Sequence, residues 1–97
     1  MTIVTVLTLR LAPSRTPDVV SYYQSARILE SSGASIARLC VSTEDSGTVI
    51  VIAEWPDRGA YETWQASPVR GAFSQGILEA AGGAVSSTSE VFQVAEA

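Results

Sequence analysis

The alternation of apolar and polar residues along the chain predicts four strands. Residues 3–11 are rich in β-branched side chains and apolar on both sides, which is typical of a strand covered on both faces. Residues 34–42 predict a second strand, and residues 48–55 a third whose unbroken apolar centre at 49–53 again fits a strand covered on both faces. The short turn at 43–47 joins them, so they predict an antiparallel hairpin. A fourth and more polar strand is predicted over residues 84–94.

Helical segments are predicted where start and stop signals flank apolar residues at helical spacing. Thr16–Pro17 combines an N-cap residue with a proline at the first helical position, and Ser31–Gly33 should end this helix. Asp57 can cap a second helix. Ser67–Pro68 repeats the cap-and-proline signal, so a third segment begins there and stops at Gly82–Gly83.

The resulting order β-α-β-β-α-β predicts a ferredoxin-like α+β fold, with the helices on one face of an antiparallel sheet. A chain of 97 residues fits a single domain, spanning residues 1–97. The helices can cover only one face, yet the first and third strands are apolar on both. An open face this apolar needs a cover. The same sheet of a second copy is the simplest one, so we expect a homodimer.

Composition excludes several classes of function. The net charge is −4, which argues against nucleic acid and against an anionic membrane surface as partners. The chain has no histidine, so it can form neither a Ser–His nor a Cys–His nucleophile and no His-ligated metal or haem site. The single cysteine, Cys40, excludes thiolate clusters and internal disulfides. We therefore expect no metal and no cofactor.

No targeting or membrane-spanning segment is recognisable. The apolar start at residues 1–9 is short, lacks a basic region and continues into Arg10. The longest apolar runs fall well below the roughly 20 residues that span a bilayer. These features predict a cytoplasmic protein.

The segment from Ala53 to Phe73 reads AEWPDRGAYETWQASPVRGAF. It places a glutamate and an aromatic residue at the end of the third strand. A helix with a tryptophan follows, then Ser-Pro, then a phenylalanine in the next turn. This pattern, together with the order of elements, resembles the antibiotic biosynthesis monooxygenase (ABM) family. The resemblance implies a ferredoxin-like subunit that pairs into a dimeric α/β barrel.

The resemblance implies two main activities. Some relatives convert phenolic polyketides (anthrones) to quinones with O₂, without metal or flavin; others open haem. The haem-ligating histidine of the second group would fall where Ser74 stands, so haem degradation is disfavoured. In the oxygenases an asparagine precedes the helix tryptophan by one turn, where this chain has Ala60, and many relatives have histidine where it has Gln65. The leading hypothesis is a small cofactor-independent monooxygenase acting on a phenolic or polyketide-like aromatic.

Such a reaction requires a protein that binds a flat ring, assists proton transfer and stabilises an oxyanion. Trp64 can stack on the ring and donate its indole N–H, and Tyr61 can hold a ligand oxygen. Arg38, in the middle of the second strand, can bind an oxyanion, although an edge charge or a dimer salt bridge explains it equally well. These three are the predicted catalytic residues. The predicted substrate-binding residues are Tyr22, Tyr23, Trp55, Gln65 and Phe73.

Two other classes of function remain open. A cyclase or isomerase of the same fold would use a carboxylate to move a proton, and Glu54 is the candidate base. Glu54 could equally pair with an arginine across the dimer. A non-catalytic ligand-binding dimer would explain the missing histidine and asparagine, whereas an open pocket lined by Trp64 and Tyr61 would speak against it.

Overall fold

The computed structural model describes residues 1–97 as four strands and four α-helices. The strands are Ile3–Leu11 (β1), Ile36–Val41 (β2), Thr48–Trp55 (β3) and Val85–Gln93 (β4). The helices are Thr16–Ser25 (α1), Ile28–Ser31 (α2), Arg58–Ala66 (α3) and Pro68–Ala80 (α4). No helix combines the length and the apolar character that crossing a bilayer demands.

The four strands form one antiparallel sheet in the order β2-β3-β1-β4. Thr5 lies opposite Ala53 and Leu9 lies opposite Val49 in the β1–β3 register. The odd-numbered side chains of β1 and β3 therefore point to the same face, and the helices pack against that face. The predicted ferredoxin-like α+β fold is confirmed.

The main core lies where α1 and α4 cross the two central strands. Val19 of α1 and Val49 of β3 are fully buried, and Leu9 and Ile77 complete their contacts. Burying each of these side chains stabilises the fold by about 1.5–3 kcal/mol. A second, smaller cluster of Ile3, Ala53 and Trp55 lies nearer the end of β3.

The first helical segment differs from its prediction in two ways. It is interrupted at Arg27, whose backbone is left-handed (φ 55°), so α1 and α2 are separate helices. Thr16 is not the N-cap residue: Arg15 occupies that position, and the Thr16 hydroxyl instead donates a 2.6 Å hydrogen bond to the carbonyl of Ser46. The hydroxyl thus ties α1 to the β2–β3 turn.

The later helix boundaries follow the predicted signals. The Asp57 carboxylate caps α3 by accepting a 2.8 Å hydrogen bond from the amide of Ala60. Pro68 occupies the first position of α4, where its fixed φ favours a helix start. Gly82 and Gly83 both have positive φ and end it. Two consecutive helices, α3 and α4, therefore connect β3 to β4.

The second face of the sheet carries no helix. Val4, Val6, Ile50 and Ile52 of the central strands lie on it, all half-buried. At its margins Ile36 and Phe92 are 52% and 49% exposed. We call this surface the open face.

A glycine anchors the β2–β3 turn to the end of β1. Gly47 is buried, and its carbonyl accepts a 2.9 Å hydrogen bond from the amide of Leu11. A Cβ added at Gly47 would collide with the Leu11 carbonyl oxygen, a backbone atom that cannot swing away.

Replacing Gly47 by alanine is therefore expected to lower the free energy of unfolding by about 1–3 kcal/mol. Urea denaturation would measure it. Gly71→Ala is the matched control, because a Cβ there meets nothing and alanine favours the interior of α4. Equal stability of the Gly47 variant and the control would contradict this packing.

Candidate active site

A cavity of about 90 Å³ lies between the helix-covered face of the sheet and the helices, and it is partly open to solvent. One bound water requires only roughly 10–15 Å³ of such space, so the cavity exceeds the space of a single water, and its open side lets a larger ligand extend into solvent. Most of its lining residues are hydrophobic. Six of the nine sequence-predicted site residues line it: Tyr23, Trp55, Tyr61, Trp64, Gln65 and Phe73.

Helix α3 supplies one wall of the cavity. Tyr61, Trp64 and Gln65 are three and four residues apart, so they share one side of the helix. The Gln65 amide nitrogen donates a 2.5 Å hydrogen bond to the Tyr61 hydroxyl oxygen. Because that oxygen acts as acceptor, the Tyr61 proton is left to donate to a ligand.

Two aromatic pairs shape the apolar part of the cavity. Trp64 of α3 and Phe73 of α4 lie 6.3 Å apart between ring centroids, at an interplanar angle of 40°. Tyr61 packs on Trp55, with the centroids 5.5 Å apart and the planes at 57°. Both separations are within the range of favourable aromatic contacts. The walls are therefore well suited to a flat ring.

Trp55 is the most deeply buried aromatic residue of the cavity. Its side chain is 2% exposed, and its indole N–H donates a 2.9 Å hydrogen bond to the Thr5 hydroxyl across the β1–β3 pair. The indole donor is thus already used within the chain. Trp55 contributes an apolar surface to the cavity, while its indole N–H is hydrogen-bonded within the core.

Tyr23 enters the cavity from α1. Its side chain is 4% exposed, and burial raises the pKa of its phenol to about 12, although the nearby Arg70 charge works in the opposite direction. The phenol therefore stays protonated at neutral and mildly alkaline pH. It can act there as a hydrogen-bond donor.

This burial predicts a loss of stability in alkali. The pKa of Tyr23 is about 12 in the folded chain and near the ordinary value of 10.0 when the chain is unfolded. Between these two values the unfolded chain has released the proton and the folded chain still holds it, so stability falls as the pH rises. The full difference is about 2–3 kcal/mol. Urea denaturation of the wild type and Tyr23→Phe from about pH 9 to pH 12 measures it. Identical slopes for the two proteins would contradict the assignment.

Three predicted residues do not reach the cavity. Arg38 pairs with Ile52 in the β2–β3 register and lies exposed on the open face. Glu54 also points to the open face, opposite Val4 of β1. Tyr22 packs instead over Gly76 of α4, where a Cβ would collide with its ring.

The sequence analysis missed Arg70. Arg70 lies in α4 and is not among the predicted site residues, but its side chain lines the cavity. Its position three residues before Phe73 places both residues on one side of the helix, and this spacing was the available signal. No aspartate or glutamate lines the cavity, so a carboxylate base, as a cyclase or isomerase would need, is missing from it.

The fold and cavity define a class: ferredoxin-like α+β proteins with an aromatic-lined pocket between helices and sheet. The sequence profile of the family described as "Antibiotic biosynthesis monooxygenase" matches residues 2–76. The chain belongs to this family, as its sequence pattern indicated.

Solved structures with this fold are similar over almost the whole chain. SnoaB, a cofactor-independent oxygenase from Streptomyces nogalater, has a TM-score of 0.73 at 17% identity and covers 99% of this chain and 95% of its own. An antibiotic biosynthesis monooxygenase from Deinococcus radiodurans has a TM-score of 0.81 at 15% identity, covering 98% and 94%. One from Caulobacter crescentus has 0.79 at 17%, covering 98% and 91%. At these identities the likeness establishes the fold. No functionally curated protein matches the sequence.

Proposed function

We propose that this chain is a cofactor-independent monooxygenase that oxidises a small phenolic, polyketide-like aromatic with O₂ in the cavity. The observation that carries the proposal is the pairing of aromatic walls, Trp64 with Phe73 and Tyr61 with Trp55, around a cavity in a member of a monooxygenase family. The SnoaB structure supports it, because that protein is a cofactor-independent oxygenase of the same fold.

The proposed reaction needs no external reductant. An anthrone or naphthol loses a proton, and its electron-rich anion passes an electron to O₂. Recombination forms a carbon–oxygen bond and a hydroperoxide. Cleavage of its O–O bond then leaves one oxygen as the new carbonyl and releases the other as water. The substrate supplies all four electrons that reduce O₂, so the atoms and electrons balance.

The residues have distinct roles in this proposal. Trp64 and Phe73 orient the ring, and the indole N–H of Trp64 donates to a substrate oxygen. The Tyr61 hydroxyl, fixed by Gln65, donates to the developing oxyanion. Tyr23 adds a second phenolic donor. Arg38 and Glu54 have no place here, because both lie on the open face.

Oxygen consumption tests the proposal. Purified, chelator-treated protein is incubated with a panel of anthrones, naphthols and hydroquinones, and O₂ uptake is compared with the spontaneous rate. Tyr61→Phe should slow uptake at least about tenfold by removing a donor to the oxyanion. Tyr22→Phe is the matched control, since Tyr22 lies outside the cavity lining and should leave the rate unchanged. Uptake no faster than the spontaneous rate for the whole panel would contradict the quinone-forming function.

The homodimer is part of the same proposal. Homologues with this fold are generally dimeric. The open face offers apolar side chains of the central strands, including Ile50 and Ile52, to a second copy.

Replacing Ile50 by glutamate should convert the dimer to a monomer, because a carboxylate would be buried in the interface and neither residue opposite it, Thr8 or Cys40, carries a positive charge. Sedimentation equilibrium measures the mass. Val69→Glu is the control, because Val69 is an exposed apolar residue of α4, on the helical layer. A monomeric wild type, or an unchanged mass for Ile50→Glu, would refute this interface.

A further inference from the structure

Donors predominate among the hydrogen-bonding groups of the cavity, although Gln65 also offers its amide oxygen. Ser74 already donates to the carbonyl of Arg70, and Ser32 donates to the carbonyl of Leu29. Four larger cavity groups find no hydrogen-bond acceptor inside the chain: the guanidinium of Arg70, the indole of Trp64, and the hydroxyls of Tyr61 and Tyr23. All four can donate. The cavity is thus complementary to a ligand that presents acceptor oxygens.

Arg70 gives this donor set a positive charge. The three ion pairs of the chain use Arg15, Arg27 and Arg58, each exposed at the start of a helix. Arg70 is half-buried and belongs to none of them. No carboxylate lines the cavity to neutralise it, although acidic residues outnumber basic ones in the chain as a whole. The cavity therefore carries a positive charge, whereas the net charge of the chain is negative.

The guanidinium also lies close to the other donors. Its charge opposes the effect of burial on the Tyr23 phenol, so the two groups are near enough to interact electrostatically. Arg70 is one turn before Phe73, whose ring faces Trp64. A flat ring lying against these aromatic side chains would therefore be close to Arg70 and Tyr23.

We propose that Arg70 determines specificity in the cavity by binding an anionic oxygen, a carboxylate or a phenolate, carried by the aromatic ligand. This inference rests on the proposed function for the aromatic nature of the ligand. A guanidinium binds either group through charge-assisted hydrogen bonds, which are roughly twice as strong as neutral ones. In a partly apolar cavity, an anion would replace the water that otherwise solvates Arg70.

Ligand binding, measured by quenching of tryptophan fluorescence at neutral pH, tests the inference without relying on turnover. The carboxylate arm compares 2-naphthoate with 2-naphthamide, which has the same shape and no charge. The phenolate arm compares 2,4-dinitro-1-naphthol, which is ionised at neutral pH, with its methyl ether. Wild-type protein should prefer the anion in at least one arm by roughly 10- to 100-fold, as expected for hydrogen bonds to a charged group.

The variants assign this preference to a residue. Arg70→Gln should abolish the preference for the anion by weakening the binding of the anionic probe alone. Arg70→Lys should retain part of the preference, since lysine keeps the charge and loses the bidentate geometry. Arg58→Gln is the matched control, because Arg58 is exposed on α3 and pairs with Glu62 away from the cavity. Circular dichroism confirms folding of each variant.

The possible results distinguish failure of the Arg70 inference from failure of the proposed oxygenase. Equal affinity for the anion and its neutral partner in both arms, a preference that survives in Arg70→Gln, or no binding of any probe would overturn the inference. Anion binding that depends on Arg70 without O₂ uptake would support the inference and refute the proposed oxygenase. Uptake without any charge preference would do the reverse.

Discussion

Replacing Trp64 by alanine should reduce O₂ uptake with a responsive anthrone or naphthol by about 100-fold or more, while the protein stays folded. The variant loses the ring that packs against Phe73 in the cavity wall and an indole N–H that has no acceptor within the chain. Loss of one preorganised oxyanion donor alone typically lowers turnover by about 10²–10³.

Trp64→Phe separates these two contributions. Phenylalanine keeps an aromatic wall and removes the N–H, so turnover should fall while ligand binding changes little. Rates at saturating substrate and binding measured by ligand fluorescence distinguish the two effects. Unchanged uptake in folded Trp64→Ala would place the reaction elsewhere.

Trp55→Ala should instead act mainly by lowering the stability of the fold. We expect it to lower the free energy of unfolding by about 3–5 kcal/mol, because it empties a core site that is 2% exposed and leaves the Thr5 hydroxyl without its partner. A domain of this size is stable by roughly 5–15 kcal/mol, so the variant would be close to unfolding. Urea denaturation measures the loss.

A double-mutant cycle tests the reason. Trp55→Phe keeps most of the apolar volume and should lower stability by about 1–3 kcal/mol through the unpaired Thr5 hydroxyl. Adding Thr5→Val removes that hydroxyl and should restore part of the loss. Normal stability of Trp55→Ala with loss of uptake would instead mean that Trp55 acts on the substrate.

Most of the fold could be predicted because its periodic signals are strong. The run Val49–Ala53 and the β-branched β1 indicated buried strands, and Asp57 and Ser67–Pro68 marked the helix starts that the structure contains. The break at Arg27 could not be predicted, because an arginine with positive φ has no local signature. The bond from Thr16 to Ser46 depends on tertiary contact between segments 30 residues apart.

The candidate site was partly predictable for a related reason. Tyr61, Trp64 and Gln65 share one side of a helix, so spacing alone brought them together. Strand residues are different, because successive side chains of a strand point to opposite faces of the sheet. Arg38 and Glu54 are even-numbered residues, which lie on the open face. Their chemistry gave no hint of which face the helices would cover. Arg70 was missed because a charge in an amphipathic helix usually faces water.

Labelling with ¹⁸O₂ tests the central claim most directly. Protein is incubated with a responsive anthrone or naphthol under ¹⁸O₂, and the product is analysed by mass spectrometry. The account predicts one labelled oxygen atom in the quinone, the other being released as labelled water, at a rate that depends on Trp64. A product without label, formed without O₂ consumption, would contradict the account and identify an isomerisation or cyclisation instead.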